Sequence, residues 1–240
     1  MSLSLPACCH ALDASWPWQT ALSYVRSYSV RFDRQRLVVD DFIHSGIPLP
    51  DTLRNAAPKR QAEYLAGRLC AREALQRLTG TPHVPGMAES KAPLWPSGTV
   101  GSITHSGDLA AAMVAPTECY QGVGLDAERQ LELARAERLA PQILTPAERD
   151  LMAALPVEQQ AHFVTAVFSL KESLFKALFP LVNVRFYFQD AQLIDWNPDA
   201  QQTVLRLNKT LSEHWPAGSL LSGRHAHLEA YVISLIAIPA

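Results

Sequence analysis

Cysteine is scarce, with four residues in 240. Cys8 and Cys9 are adjacent, Cys70 lies within a helical pattern and Cys119 stands alone. No CxxC pair occurs, so neither a zinc ribbon nor a disulfide framework is expected. A basic excess is missing as well. Lys and Arg number 21 against 23 Asp and Glu, a net charge of −2, which argues against nucleic acid as a partner because a phosphate-backbone binder carries a strong positive balance. No positive charge precedes Arg26 and no long apolar run occurs. Neither a secretory signal nor a membrane span is therefore expected, and the chain should be cytoplasmic. What is present is 48% hydrophobic content, enough for a core organised as one domain or as two small ones.

Residues 1–50 carry little pattern beyond Trp16-Pro17-Trp18 and a strand expected around 22–32. A helix is expected from Pro58, which suits the first helical position, to Gly80, which closes it, with Ala62, Leu65, Leu69 and Leu78 as its buried stripe. Arg60, Tyr64, Arg68 and Arg72 recur at a spacing of four and give one line of that helix a cationic and aromatic character. A solvated basic face is the plain alternative. A proline-rich loop over 81–96 contains Lys91, and residues 99–114 read as a hairpin turning on Ser106-Gly107-Asp108. His105 is left at that turn, beside hydroxyls and a glycine backbone. It can donate to a phosphate oxygen there, or simply be a half-exposed turn residue. A boundary is expected near 117–120, giving halves 1–118 and 119–240. The second half holds an acidic strand, a helix over 134–143, a helix opened by the capping box Thr145-Pro146-Ala147-Glu148, and strand patterns over 184–188, 203–207 and 230–238. Each half reads as helix followed by strands, an α+β class.

In Val123-Gly124-Leu125-Asp126-Ala127-Glu128-Arg129, strand alternation sends Val123, Leu125 and Ala127 one way and Gly124, Asp126 and Glu128 the other. The two carboxylates then share a face with β-carbons about 7 Å apart, close enough to repel unless a cation lies between them. Oxygen-only ligands suit a hard ion such as Mg²⁺, which binds one or two carboxylates and completes its shell with water and phosphate. The alternative is a solvated strand edge with Glu128 paired to Arg129 or Arg135. Downstream, Phe168-Ser169-Leu170-Lys171-Glu172-Ser173-Leu174-Phe175-Lys176 places a carboxylate and two lysines among bulky apolar residues. Such a set can handle phosphate. Glu172 and Lys176 share a helix face, an arrangement that on any surface helix would amount only to an i,i+4 pair of roughly 0.2–0.5 kcal/mol.

Taken together, Gly101-Ser102-Ile103-Thr104-His105-Ser106, Gly124-Leu125-Asp126-Ala127-Glu128 and the stretch from Phe168 to Lys176 resemble, in order and spacing, the three signature blocks of the 4′-phosphopantetheinyl transferase superfamily. The stretch from Lys59 to Glu73 and Ala92-Pro93-Leu94-Trp95-Pro96 resemble the enterobactin synthase component D-like branch, and its Pseudomonas type in particular. The likeness runs from about Asp51 to the C-terminus. Departures are mild: Thr104 where Ser is common, Leu125 and Ala127 where Ile is common, Phe168 where Trp is common. None removes a polar group that the chemistry needs. The resemblance implies two similar halves related by a pseudo-twofold with the active site at their interface, and a monomer. It also implies Mg²⁺-dependent transfer of the phosphopantetheine arm of coenzyme A to a serine of apo acyl or peptidyl carrier proteins, releasing adenosine 3′,5′-bisphosphate.

Under that resemblance Asp126, Glu128 and Glu172 hold Mg²⁺, and Glu172 or a water it orients takes the serine proton. Lys176 stabilises the departing phosphate. His105, with Thr104 and Lys91, holds the pyrophosphate, and Arg60 and Arg68 receive the 3′-phosphate. Two other classes compete. A coenzyme A binding module that had lost catalysis should lack an acidic ligand or Lys176, and none is missing; a metal-dependent phosphoesterase could use the same elements with water as nucleophile.

Overall fold

Pro58 and Gly80 bracket the longest element of the N-terminal region, and the chain around it folds onto one small sheet. The computed structural model describes residues 4–197 and 201–240. The chain divides into two compact units, residues up to Trp16 with Leu22–Cys119, and Pro17–Ala21 with Tyr120–Ala240.

In the first unit, in chain order, stand β1 (Arg26–Arg31), α1 (Asp40–Ser45), α2 (Pro58–Thr79), the short β2 (Gly86–Met87) and β3 (Pro93–Leu94), β4 (Thr99–Ser106) and β5 (Leu109–Pro116). β1, β5 and β4 form an antiparallel sheet in that order. Gly107, at φ 60°, takes the first central position of the two-residue β4–β5 turn, a conformation that glycine reaches without strain. α2 packs on this sheet through Ala62, Leu65, Ala66 and Leu69. Beyond Arg60, which is exposed, its polar line is not a solvated face. Tyr64, Arg68 and Arg72 are buried, and Arg72 bonds the Ser45 carbonyl and Glu73. Burial of those guanidiniums is tolerable because each finds acceptors.

The second unit runs β6 (Tyr120–Arg129), α3 (Leu133–Ile143), α4 (Pro146–Ala154), α5 (Val157–Val182), β7 (Ala191–Asp195), β8 (Gln202–Leu207), β9 (Leu220–Leu228) and β10 (Tyr231–Pro239). Its antiparallel sheet has the order β6-β10-β9-β8-β7. α5 lies across β6 and β10, and its fully buried Leu170, Leu174 and Leu178 meet Leu205, Leu207 and Ile236. Each such leucine contributes about 1.5–3 kcal/mol by leaving water.

Thr145 caps α4 as expected, accepting from the Glu148 amide at 3.3 Å while Glu148 Oε2 accepts from the Thr145 amide at 2.7 Å. One expected strand is absent: residues 184–187 belong to no described strand and lead into a 3₁₀ turn at Phe188–Asp190. The alternation there is genuine but serves packing. Phe186 is buried and Phe188 stacks edge-on against Phe168 at 5.4 Å, while Arg185 and Tyr187 face solvent.

Candidate functional site

Two glycines decide how closely α5 can approach the acidic strand. On β6, Gly122, Gly124, Asp126 and Glu128 share the face turned to α5. A β-carbon at Gly124 would lie 1.8 Å from the Ser173 carbonyl oxygen, and one at Gly122 would lie 2.6 Å from that of Ala177. Only bare backbone fits. The helix therefore rests directly on the strand, and Lys176 Nζ reaches Asp126 Oδ1 at 2.6 Å and the Leu125 carbonyl at 3.1 Å.

Asp126 is buried, and Glu172 is half-buried one turn before Lys176. Burial pushes the Glu172 carboxyl above its usual range, the nearby Asp126 charge pushes it further, and Lys176 opposes both. Two carboxylates are thus held in mutual repulsion with one ammonium partly neutralising them. Glu128 is half-buried farther along the strand face. Among the described residues no group of three or more His, Cys, Asp or Glu side chains is gathered as a metal-holding set. Asp126 and Glu172 still fit Mg²⁺ by donor chemistry, because that ion needs only one or two protein carboxylates when phosphate and water complete its shell.

Lys171 is not part of this cluster. Its ammonium, 1% exposed, is spent on Glu148 Oε2 at 2.7 Å and the Ile143 carbonyl at 2.9 Å. Glu148 also accepts from the Leu193 amide at 2.6 Å. One buried carboxylate thereby joins α4, α5 and β7, so of the two lysines read as phosphate handlers Lys171 is a structural anchor. Beside Glu172, a cavity of about 210 Å³ is lined by Phe175, Arg185, Phe186 and Phe188.

The first unit carries a separate basic cluster. His105 sits on the β4 face that meets α2, the same face as Ile103, whose Cγ2 would lie 2.7 Å from a β-carbon at Gly67. Arg60 Nη1 lies 3.0 Å from His105 Nε2. Glu63, which sequence reasoning missed, stands behind both: its Oε2 lies 3.6 Å from Arg60 Nη1 and 3.7 Å from His105 Nδ1, and its Oε1 lies 3.8 Å from Lys59 Nζ. The available signal was its spacing of four and three from Lys59 and Arg60.

Thr104 is buried on the opposite face of β4 and does not join His105. Arg68 Nε donates to the Pro85 carbonyl at 2.8 Å and its Nη2 to the Gly86 carbonyl at 3.1 Å, with the guanidinium 4.8 Å above the Tyr64 ring. Its hydrogen bonds fasten the loop. Lys91 is exposed at φ 69° and, with Tyr64, Pro85 and Met87, borders a cavity of about 460 Å³.

Comparison with known proteins places two adjoining matches on this chain. The 4′-phosphopantetheinyl transferase N-terminal domain matches residues 49–115, and the 4′-phosphopantetheinyl transferase superfamily matches residues 122–236. The chain is 35% identical over 187 residues to enterobactin synthase component D of Escherichia coli (strain K12), covering 78% of this chain and 85% of that protein. It is 36% identical over 190 residues to the 4′-phosphopantetheinyl transferase Svp of Streptomyces mobaraensis, covering 77% and 75%. With the 4′-phosphopantetheinyl transferase PptT of Mycobacterium tuberculosis the identity is 33% over 181 residues, covering 73% and 76%.

Proposed function

The chain belongs to the 4′-phosphopantetheinyl transferase superfamily and is an enzyme of that activity, and from this premise we propose how its own residues perform the transfer. The substrates are coenzyme A and a serine of an apo acyl or peptidyl carrier protein, and the released product is adenosine 3′,5′-bisphosphate. Asp126 on the strand and Glu172 on α5, with Glu128 farther along the Asp126 face, would hold Mg²⁺, which would supply positive charge to offset that of the pyrophosphate. The observation that carries the reading is the convergence of Asp126, Glu172 and Lys176 where α5 rests on β6.

Glu172 takes the serine proton, either directly or through a water it orients. Its half-buried place one turn before Lys176, beside Asp126, keeps the carboxylate next to the reacting groups. Lys176, already fixed by two hydrogen bonds, needs little reorganisation to meet charge growing on the departing phosphate. In the first unit, Arg60 offers a planar guanidinium to the 3′-phosphate and His105 an imidazole to the pyrophosphate, with the exposed Lys91 as a further candidate, whereas Thr104, buried on the other face of β4, stays out of that role. Glu63 stands beside both the Arg60 guanidinium and the His105 imidazole and helps to orient them. Arg68 acts through the loop whose carbonyls it holds.

Carriers of siderophore and of fatty acid assembly are the first to test, the former because of the likeness to enterobactin synthase component D. Coenzyme A, Mg²⁺ and each apo carrier are incubated with the protein and the nucleotide product is identified. Adenosine 3′,5′-bisphosphate formed only when carrier is present supports transfer. Free phosphopantetheine formed without carrier would replace the reading with hydrolysis.

A further inference from the structure

Three serines lie buried where α5 crosses β10. Ser169, Ser173 and Ser234 are each fully excluded from solvent. Ser234 Oγ lies 2.7 Å from Ser169 Oγ and 2.8 Å from Ser173 Oγ, and Ser173 Oγ donates to the Ser234 carbonyl at 3.0 Å. Around them the contact is apolar, made by Leu170, Leu174 and Ile236. Alanine would fill the same space, and a buried hydroxyl is unfavourable unless it is hydrogen-bonded. Here all three satisfy one another.

Their placement relates them to the acidic cluster. Ser234 stands opposite Asp126 in the β10–β6 register. Ser169 and Ser173 are one helical turn apart and flank Glu172, and Ser173 lies three residues before Lys176. Apolar contacts are not directional, whereas hydrogen bonds hold their partners in one alignment. A slide of one residue moves a helix about 1.5 Å along its axis, enough to break every bond in the triad.

We propose that Ser234, with Ser169 and Ser173, is a positioning device that sets the axial register of α5 against the β6–β10 pair and so holds Glu172 and Lys176 at their separations from Asp126. The importance of those separations rests on the transferase reading above. Ser234 is the hub. In Ser234→Ala, Ser173 Oγ keeps the backbone carbonyl of position 234 as its acceptor and Ser169 Oγ can fall back on the carbonyl four residues earlier, so the hub hydroxyl is lost while the variant keeps its hydrogen bonding and folds.

Ser234→Ala is compared with Ile236→Val, a packing change on the same strand. Mn²⁺ in place of Mg²⁺ is titrated by electron paramagnetic resonance with coenzyme A present, kcat and KM are measured for carrier modification, and amide exchange is followed along β6 and α5. Ser234→Ala should weaken Mn²⁺ binding and lower kcat by about 10–100-fold, the usual scale for groups that orient metal ligands. KM for coenzyme A should stay within about twofold, and exchange should quicken around residues 122–128 and 169–177. Ile236→Val should lower the thermal midpoint without moving these readouts. Unchanged Mn²⁺ affinity, kcat and exchange in Ser234→Ala would overturn the proposal, as would equal changes in Ile236→Val. A wild-type protein that binds no Mn²⁺ would sink the metal reading alone, because the exchange measurement still decides the register.

Discussion

Gly124→Ala adds one methyl group at the place where α5 touches the acidic strand. The new β-carbon would lie 1.8 Å from the Ser173 carbonyl oxygen, and it would also crowd the Ala177 amide nitrogen at 2.8 Å. Both neighbours are backbone, so no side chain can turn aside. The helix must retreat by more than an ångström. Such a shift breaks the 2.6 Å contact of Lys176 with Asp126 and the serine bonds at 2.7 and 2.8 Å. Overpacking of a well-filled contact costs about 1–3 kcal/mol and more when backbone must move. At roughly 2–4 °C per kcal/mol for a chain of this size, the thermal midpoint should fall by about 2–12 °C. A reacting group displaced by about 1 Å loses on the order of 10²-fold in rate, so kcat for carrier modification should fall at least that far. Gly223→Ala is the internal control: its β-carbon would meet only side-chain methyls at 3.0 Å or more, and it should leave kcat nearly unchanged. Calorimetry and a carrier mass-shift assay read both effects. A Gly124→Ala protein with the wild-type midpoint and turnover would refute the close-approach argument.

Glu148→Gln strands the Lys171 ammonium, with both partners 1% exposed. Breaking such a pair costs about 3–5 kcal/mol, so the urea midpoint should drop sharply, and a near-normal midpoint would remove Glu148 as the anchor of α5. His162 packs against His227 at 4.3 Å and Trp196 at 5.6 Å. Burial first, then the charges of His227 and His225, lower its pKa from 6.5 to about 4. The unfolded chain therefore takes up that proton at higher pH than the folded one, and stability should decline as pH falls from about 6.5 toward 4, by about 1–2 kcal/mol once solvent screening of this partly exposed ring is allowed for. His162→Asn should flatten that slope in urea titrations at pH 7 and pH 5, and an unaltered slope would assign the acid sensitivity elsewhere. Arg60→Ala should weaken coenzyme A binding while barely changing dephospho-coenzyme A, which lacks the 3′-phosphate; equal losses for both ligands would give Arg60 a structural role.

Elements with local signals were legible in the sequence. Pro58 and Gly80 delimit α2, the Ser106-Gly107-Asp108 turn joins β4 to β5, and Thr145 caps α4. What was hidden depends on partners distant in the chain. β9 pairs with β8 and β10, yet its Gly223, Arg224 and His225 interrupt any apolar alternation. Residues 184–188 alternate like a strand but have no sheet neighbour. Among the site residues, strand parity put Asp126 and Glu128 on one face, and helix spacing put Glu172 and Lys176 on another. Parity could not say that Lys176 would take Asp126 as its partner, nor that Lys171, turned about 100° from Glu172, would face inward to Glu148. The roles of Gly122 and Gly124 emerge only once α5 is known to lie on β6.

If Asp126 and the α5 cluster drive transfer of the phosphopantetheine arm to a carrier serine, the mass of the carrier will report it. Intact mass spectrometry of an apo carrier protein, incubated with coenzyme A, Mg²⁺ and either the wild-type or the Asp126→Ala enzyme, tests it most directly. The wild type should shift the carrier by one phosphopantetheine group, chelating the metal should stop the shift, and Asp126→Ala, though folded, should produce none. An unmodified carrier with the wild type, or a carrier modified equally well by Asp126→Ala, would contradict that reading.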